Sequence, residues 1–98
     1  MTGRFIVIEG PDGTGKTTQA KRLADALAGA GQRVIQVREP GGCPSAERIR
    51  VLLVEGEPGD LLNWTEALLL SAARHELVER VIRPALAAGQ WVICDRYY

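Results

Sequence analysis

Phe5-Ile6-Val7-Ile8-Glu9-Gly10-Pro11-Asp12-Gly13-Thr14-Gly15-Lys16-Thr17-Thr18 is the stretch whose residue types leave the fewest structural options. Phe5 to Glu9 is a short apolar run stopped by Gly10, the pattern of a strand covered on both faces. From about Lys16 to Ala28 the period changes. Ala20, Leu23, Ala24 and Leu27 share one helix face, and Gly29 and Gly31 end it. Between strand and helix, Gly10 to Thr17 fits the phosphate-loop pattern G-x-x-x-x-G-K-S/T, for which a chance match in a chain this long is about 0.3%. Its glycines allow backbone angles that turn successive N–H groups inward, while the following helix aims its positive end at the same point. Residues Gly10, Pro11, Asp12, Gly13, Thr14, Gly15, Lys16, Thr17 and Thr18 therefore form a candidate polyphosphate cradle. Lys16 is expected to reach β and γ oxygens, and Thr17 to offer its hydroxyl to Mg²⁺.

Working outward, the strand–helix alternation continues. Val34 to Val37 is a second strand delivering Arg38 and Glu39, and Pro40-Gly41-Gly42 breaks it. Ser45 is expected to cap a short helix through Leu53, with Glu47 favouring its positive start. Residues 55–60 read as a loop. A longer helix is expected from Trp64 to Ala87, with Leu69, Ala72, Ala73, Leu77 and Val81 on one side and Pro84 kinking or restarting its last turn. Trp91 to Cys94 is a third strand, ending at Asp95 and Arg96. Short apolar strands joined by helices predict an α/β fold with a parallel sheet and helices on both faces. Ligands in such sheets gather at the C-terminal strand ends, where this sequence puts Gly10 to Thr18, Arg38 to Gly42 and Asp95 to Tyr98.

Composition narrows the function. The chain has 98 residues, with 12 Lys+Arg against 12 Asp+Glu and a net charge of zero, which argues against a polycationic nucleic-acid arm. With 46% hydrophobic residues and no long unbroken apolar segment, it fits neither a disordered tail nor a membrane span. Its N-terminus lacks the pattern of a signal peptide, so the cytoplasm is the expected compartment. Cys43 and Cys94 show neither metal-ligand spacing nor a disulfide framework, and are expected to be free thiols. Asp95 closes an apolar strand beside the phosphate loop, where a carboxylate can hold Mg²⁺ directly or through water, or simply cap a turn. Arg38 and Arg96 put two guanidiniums at the same rim, suited to a second phosphate group.

These motifs, with Ala72-Ala73-Arg74, Val81-Ile82-Arg83-Pro84-Ala85-Leu86 and Trp91-Val92-Ile93-Cys94-Asp95-Arg96-Tyr97, resemble bacterial thymidylate kinases, in order and across the whole chain. The resemblance implies a phosphate-loop NTPase-like fold in which the three strands, in the order 2-3-1, are part of a five-stranded family sheet. It also implies transfer of the ATP γ-phosphoryl group to dTMP, giving dTDP, with Mg²⁺. In that scheme Lys16, Asp95, Arg96 and Asp12 form the catalytic set. Arg38 and Arg96 hold the acceptor phosphate, Asp12 faces the deoxyribose 3′-hydroxyl, and Arg74 contacts thymine, with Leu70 and Tyr97 in the substrate pocket. Asp12 has the simpler reading of an Asx-turn residue. The family generally forms homodimers through helices of this half.

The chemistry suits the residue types. A phosphate monoester with a second pKa near 6 is already mostly dianionic at pH 7, so no general base is required. What is needed is positive charge between two polyanions, from Lys16, Mg²⁺ and arginines. His75 is expected to be a solvated helix residue. Leu70 departs from the family pattern, which generally has an aromatic there; roughly 1–3 kcal/mol of base stacking is then missing. Thr14 departs from those members with an Arg in the loop; in enzymes without that Arg, the resemblance implies that a later lid segment brings the charge. Residues 1–98 are thus expected to form one partial kinase domain, inactive by itself, with the lid and adenine pocket beyond Tyr98. The alternatives are another phosphate-loop nucleoside or nucleotide monophosphate kinase, with Glu39 as a base in the nucleoside case, or a non-catalytic nucleotide-binding remnant.

Overall fold

Side-chain alternation on the central strand organises the molecule. In the computed structural model, which describes residues 3–9 and 15–96, the order is β1 (Phe5–Glu9), α1 (Lys16–Gly29), β2 (Val34–Glu39), α2 (Pro44–Val54) and α3 (Asn63–Leu77). A π-helical turn (Val78–Ile82), α4 (Arg83–Ala87) and β3 (Trp91–Arg96) follow. The sheet order is β1-β3-β2 and both pairings are parallel, as expected from the sequence. Val92 and Cys94 point to one face, where Leu77, Ile82 and Ala85 pack with Val37; Ile93 points to the other, onto Ala20 and Ala24 of α1. Helices therefore cover both faces of β3, which explains why its run is apolar at successive positions. On α3 a second layer forms, where Cys43 and Ala46 meet Ala73.

Several boundaries differ from the sequence expectation. β2 continues through Arg38 and Glu39, which stay in register with Asp95 and Arg96. Ser45 is not the cap of α2. Cys43 occupies that position and Pro44 opens the helix, its fixed φ and missing N–H suiting the first turn. Ser45 instead donates to Glu76 on α3. That bond, with a second from Arg80, holds the Glu76 carboxyl below its ordinary range. The expected long helix begins at Asn63 and divides before Pro84. Pro84 has no N–H to give the carbonyl of Arg80, and its ring would crowd that carbonyl. The chain widens by one turn, with the Arg83 N–H bonding to the Val78 carbonyl five residues back, and restarts as α4. Ala72, placed on the inner face by sequence, is exposed.

The β2–α2 corner brings the sheet edge close to α3. Gly41 and Gly42 have φ of 123° and 98°, a region L side chains rarely adopt. A Cβ on Gly42 would lie 2.7 Å from Leu77 Cδ1, so glycine is needed for packing as well as for conformation. Glu47 accepts the Gly42 N–H at 3.0 Å and tethers this corner to the first turn of α2.

Candidate functional site

Two charged clusters lie at the C-terminal edge of the sheet, and strand register builds both. Arg38 of β2 stands beside Asp95 of β3. One residue on, Glu39 of β2 and Glu9 of β1 flank Arg96 of β3. Opposite charges on neighbouring strands attract, and the alternation of side chains sends the two sets to different faces.

On the α1 side, Gly15 takes a left-handed conformation (φ 79°) and passes the chain into α1 with Lys16 buried. Lys16 Nζ lies 2.6 Å from Asp95 Oδ1 and donates to the Arg96 carbonyl at 3.0 Å. Thr17 Oγ1 donates to Asp95 Oδ2 at 3.4 Å, and Arg38 Nε is 3.5 Å from the same oxygen. A cavity of about 420 Å³ opens here, lined in part by Thr17, Arg38, Gly42, Glu47 and Asp95. The Lys16 side chain is only 4% exposed, and its buried charge is compensated by a carboxylate. The sequence reading directed it to phosphate oxygens; in this structure it rests on Asp95.

On the other face, Glu39 is buried and its carboxylate is shared. Arg74 Nε, from α3, lies 3.2 and 3.3 Å from its two oxygens, while Arg96 Nε donates to Oε2 at 2.6 Å. Arg96 also donates through Nη1 to Glu9 at 2.9 Å. The Glu9 hydrogen bond, with help from Glu39, raises the Arg96 pKa against the effect of burial. Sequence placed Arg38 and Arg96 together as two converging forks. Register separates them, one onto Asp95 and the other onto Glu39 and Glu9. Behind this row, desolvation pushes the Cys94 thiol up to about 12, and the negative field of Glu39 acts in the same direction. Cys94 and Cys43 are both buried and free, as expected.

Comparison with known proteins gives this arrangement a family. The family model described as thymidylate kinase matches residues 8–98. The chain belongs to the thymidylate kinase family. It is 55% identical to the thymidylate kinase of Magnetococcus marinus over 97 residues, covering 99% of this chain and 46% of that protein. It is 56% identical to that of Caulobacter vibrioides over 95 residues, covering 97% of this chain and 46% of the relative. A solved thymidylate kinase from Ehrlichia chaffeensis superposes with a TM-score of 0.84 at 39% identity, covering 99% of this chain and 55% of that one. The chain thus spans about half the length of the curated relatives it matches.

Of the thymidylate kinase site residues anticipated from sequence, the structure brings Lys16, Thr17, Arg38 and Asp95 together in one cluster and Arg74 and Arg96 in the other. Thr18 is exposed on α1, next to the first cluster in sequence. Leu70 is half-buried on α3 one turn before Arg74, the i and i+4 relation that places both on one side. His75 is exposed, in keeping with a solvated residue. Asp12, Tyr97 and the cradle residues Gly10, Pro11, Gly13 and Thr14 lie outside the described residues. The sequence reading missed the bridging role of Glu39. Its one local signal was a carboxylate between Arg38 and the Pro40-Gly41-Gly42 turn, at the end of a strand whose neighbour ends in Arg.

Proposed function

We propose that the protein transfers the γ-phosphoryl group of ATP to dTMP, giving dTDP, as an ATP-dependent nucleoside monophosphate kinase. The observation that carries this reading is the division of charge around β3. Asp95 gathers Lys16 and Thr17 on the phosphate-loop side, and the next residue, Arg96, joins Glu39 and Arg74 on the other. One strand end thus adjoins both a triphosphate site and an acceptor site. The names carried by the relatives supply the nucleotide.

Lys16 moves from Asp95 to the incoming phosphate oxygens, exchanging one anionic partner for another at the start of α1, whose N–H groups add to the attraction. Gly10, Pro11, Asp12, Gly13, Thr14 and Gly15 cradle those phosphates, and Thr18 adds a donor in the first turn. Thr17 Oγ1 and Asp95 Oδ2, 3.4 Å apart, are hard oxygen donors that would hold Mg²⁺. They fit that ion, which when bound neutralises charge building on the transferring group. Arg96 orients the acceptor phosphate from the Glu39 side and Arg38 reaches it from its place beside Asp95, Arg74 meets the base beside Leu70 and Tyr97, and Asp12 meets the sugar. The acceptor is mostly dianionic at pH 7 and needs no base. Glu39, the base required by the nucleoside-kinase alternative, is engaged by two guanidiniums, which disfavours that role.

Residues 1–98 contribute the phosphate loop and much of the acceptor side of one kinase domain, and the remainder of a family-length chain contributes the lid and adenine contacts. No described helix is long and apolar enough to cross a membrane, and a cytoplasmic homodimer acting on free nucleotides fits the neutral charge. The test is ADP release by the protein expressed from its complete reading frame, with dTMP, dUMP, dCMP and thymidine offered in turn. Turnover is expected to be highest with dTMP; preference for thymidine overturns the monophosphate reading.

A further inference from the structure

We infer that Glu39 is a positioning residue that locks the base-side and phosphate-side arginines of the acceptor pocket into one register, a proposal resting on the thymidylate kinase reading above. Glu39 is only 3% exposed, and a buried carboxylate persists only when its charge is compensated. Its partners come from different elements: Arg74 from α3 and Arg96 from β3. Both contacts reach Oε2, at 3.3 and 2.6 Å, so the two Nε atoms lie within about 6 Å, a range over which like charges repel appreciably. Arg74 and Arg96 are 41% and 26% exposed at the side chain and have room to swing toward solvent. The anion between them holds them together. Each is gripped at Nε, and Arg96 is held a second time where its Nη1 donates to Glu9 at 2.9 Å. In the proposed reaction one arginine meets the base and the other the phosphate of the same nucleotide. A single carboxylate therefore sets the distance between the two ends of the acceptor. This couples recognition of the base to placement of the phosphate.

The prediction separates this role from simple support of the fold. Glu39→Gln keeps the shape and one acceptor oxygen but removes the charge. Glu39→Asp keeps the charge but withdraws it by one methylene, too short to span both arginines. In steady-state kinetics of the complete protein, both variants are expected to raise the KM for dTMP about tenfold or more, with the KM for ATP within about twofold of wild type. The preference for dTMP over dUMP is expected to shrink. In an Arg74→Ala background, Glu39→Gln is expected to cost markedly less than in wild type, since coupled residues are not additive. An unchanged KM for dTMP, or equal increases for dTMP and ATP, overturns the positioning role while leaving the kinase reading intact. A wild-type protein that ignores dTMP sinks the kinase reading, and this proposal with it. If Glu39→Gln does not fold, the KM comparison is made on Glu39→Asp, whose charge still compensates the buried site.

Discussion

Asp95 and Lys16 form a buried pair in which each makes the other tolerable. Replacing Asp95 with Ala leaves an ammonium without its carboxylate at a site 4% exposed, a change that typically costs about 3–5 kcal/mol. Urea unfolding is expected to show a lower midpoint for Asp95→Ala, with Asp95→Asn intermediate because its amide oxygen still accepts from Lys16. Cys94 gives a pH signature. Its folded pKa of about 12 stands above the ordinary 9.0, so native protein keeps the proton over a range where the unfolded chain releases it. The stabilisation is fully present below pH 9, and stability falls from there toward pH 12. Denaturation midpoints measured on either side of pH 9 in wild type and Cys94→Ala are expected to show a shallower decline in the variant. Equal declines would place the alkaline sensitivity elsewhere.

At the scale of elements, the tight corner between β2 and α2 is more demanding than the sequence suggests. Gly42 and Gly59 both have positive φ, 98° and 85°, but only at Gly42 would a Cβ meet a packed side chain. Gly59→Ala is expected to cost about 1 kcal/mol, from backbone conformation alone. Gly42→Ala adds overpacking against Leu77 and is expected to cost about 1–3 kcal/mol more. Thermal unfolding of the two variants checks the order; equal losses would mean that Leu77 yields freely. Motif and periodicity made α1, the strands and the restart at Pro84 legible, because those signals are local. The cap of α2 was misassigned because Ser45 had two uses for its hydroxyl, and the partner on α3 that claimed it lies far away in sequence.

Across the whole molecule, two surfaces are more apolar than an isolated domain of this size favours. Leu62, Trp64 and Leu68 near the start of α3 are 78%, 81% and 67% exposed, and Val51, Leu52 and Val54 on α2 are also open. Clustered exposure of this kind marks association surfaces, and an interface between two copies is expected to include them. Trp64→Glu combined with Leu68→Glu is expected to shift the complete protein to monomer in sedimentation, without changing its strand content. Along the sheet, β1 pairs only with β3 among the described residues, and Phe5 is 40% exposed. An unprotected apolar edge invites aggregation. The 98-residue chain expressed alone is therefore expected to be poorly soluble and to release no ADP; a soluble monomer with steady turnover would contradict this.

The sequence by itself determined the α/β class, the parallel three-strand order and the identity of Lys16, Thr17, Arg38, Arg74, Asp95 and Arg96 as site candidates. The class, the parallel sheet and the candidates other than Arg74 follow from a local period, a short motif or a strand end, while the strand order and Arg74 rest on the family resemblance. Only the tertiary structure decided how those charges pair. Register across β2 and β3 set Arg38 against Asp95 and Glu39 against Arg96, and the packing of α3 on the sheet brought Arg74 to the same carboxylate. Pairing between distant segments depends on strand alignment and helix packing, which no local pattern of residues encodes.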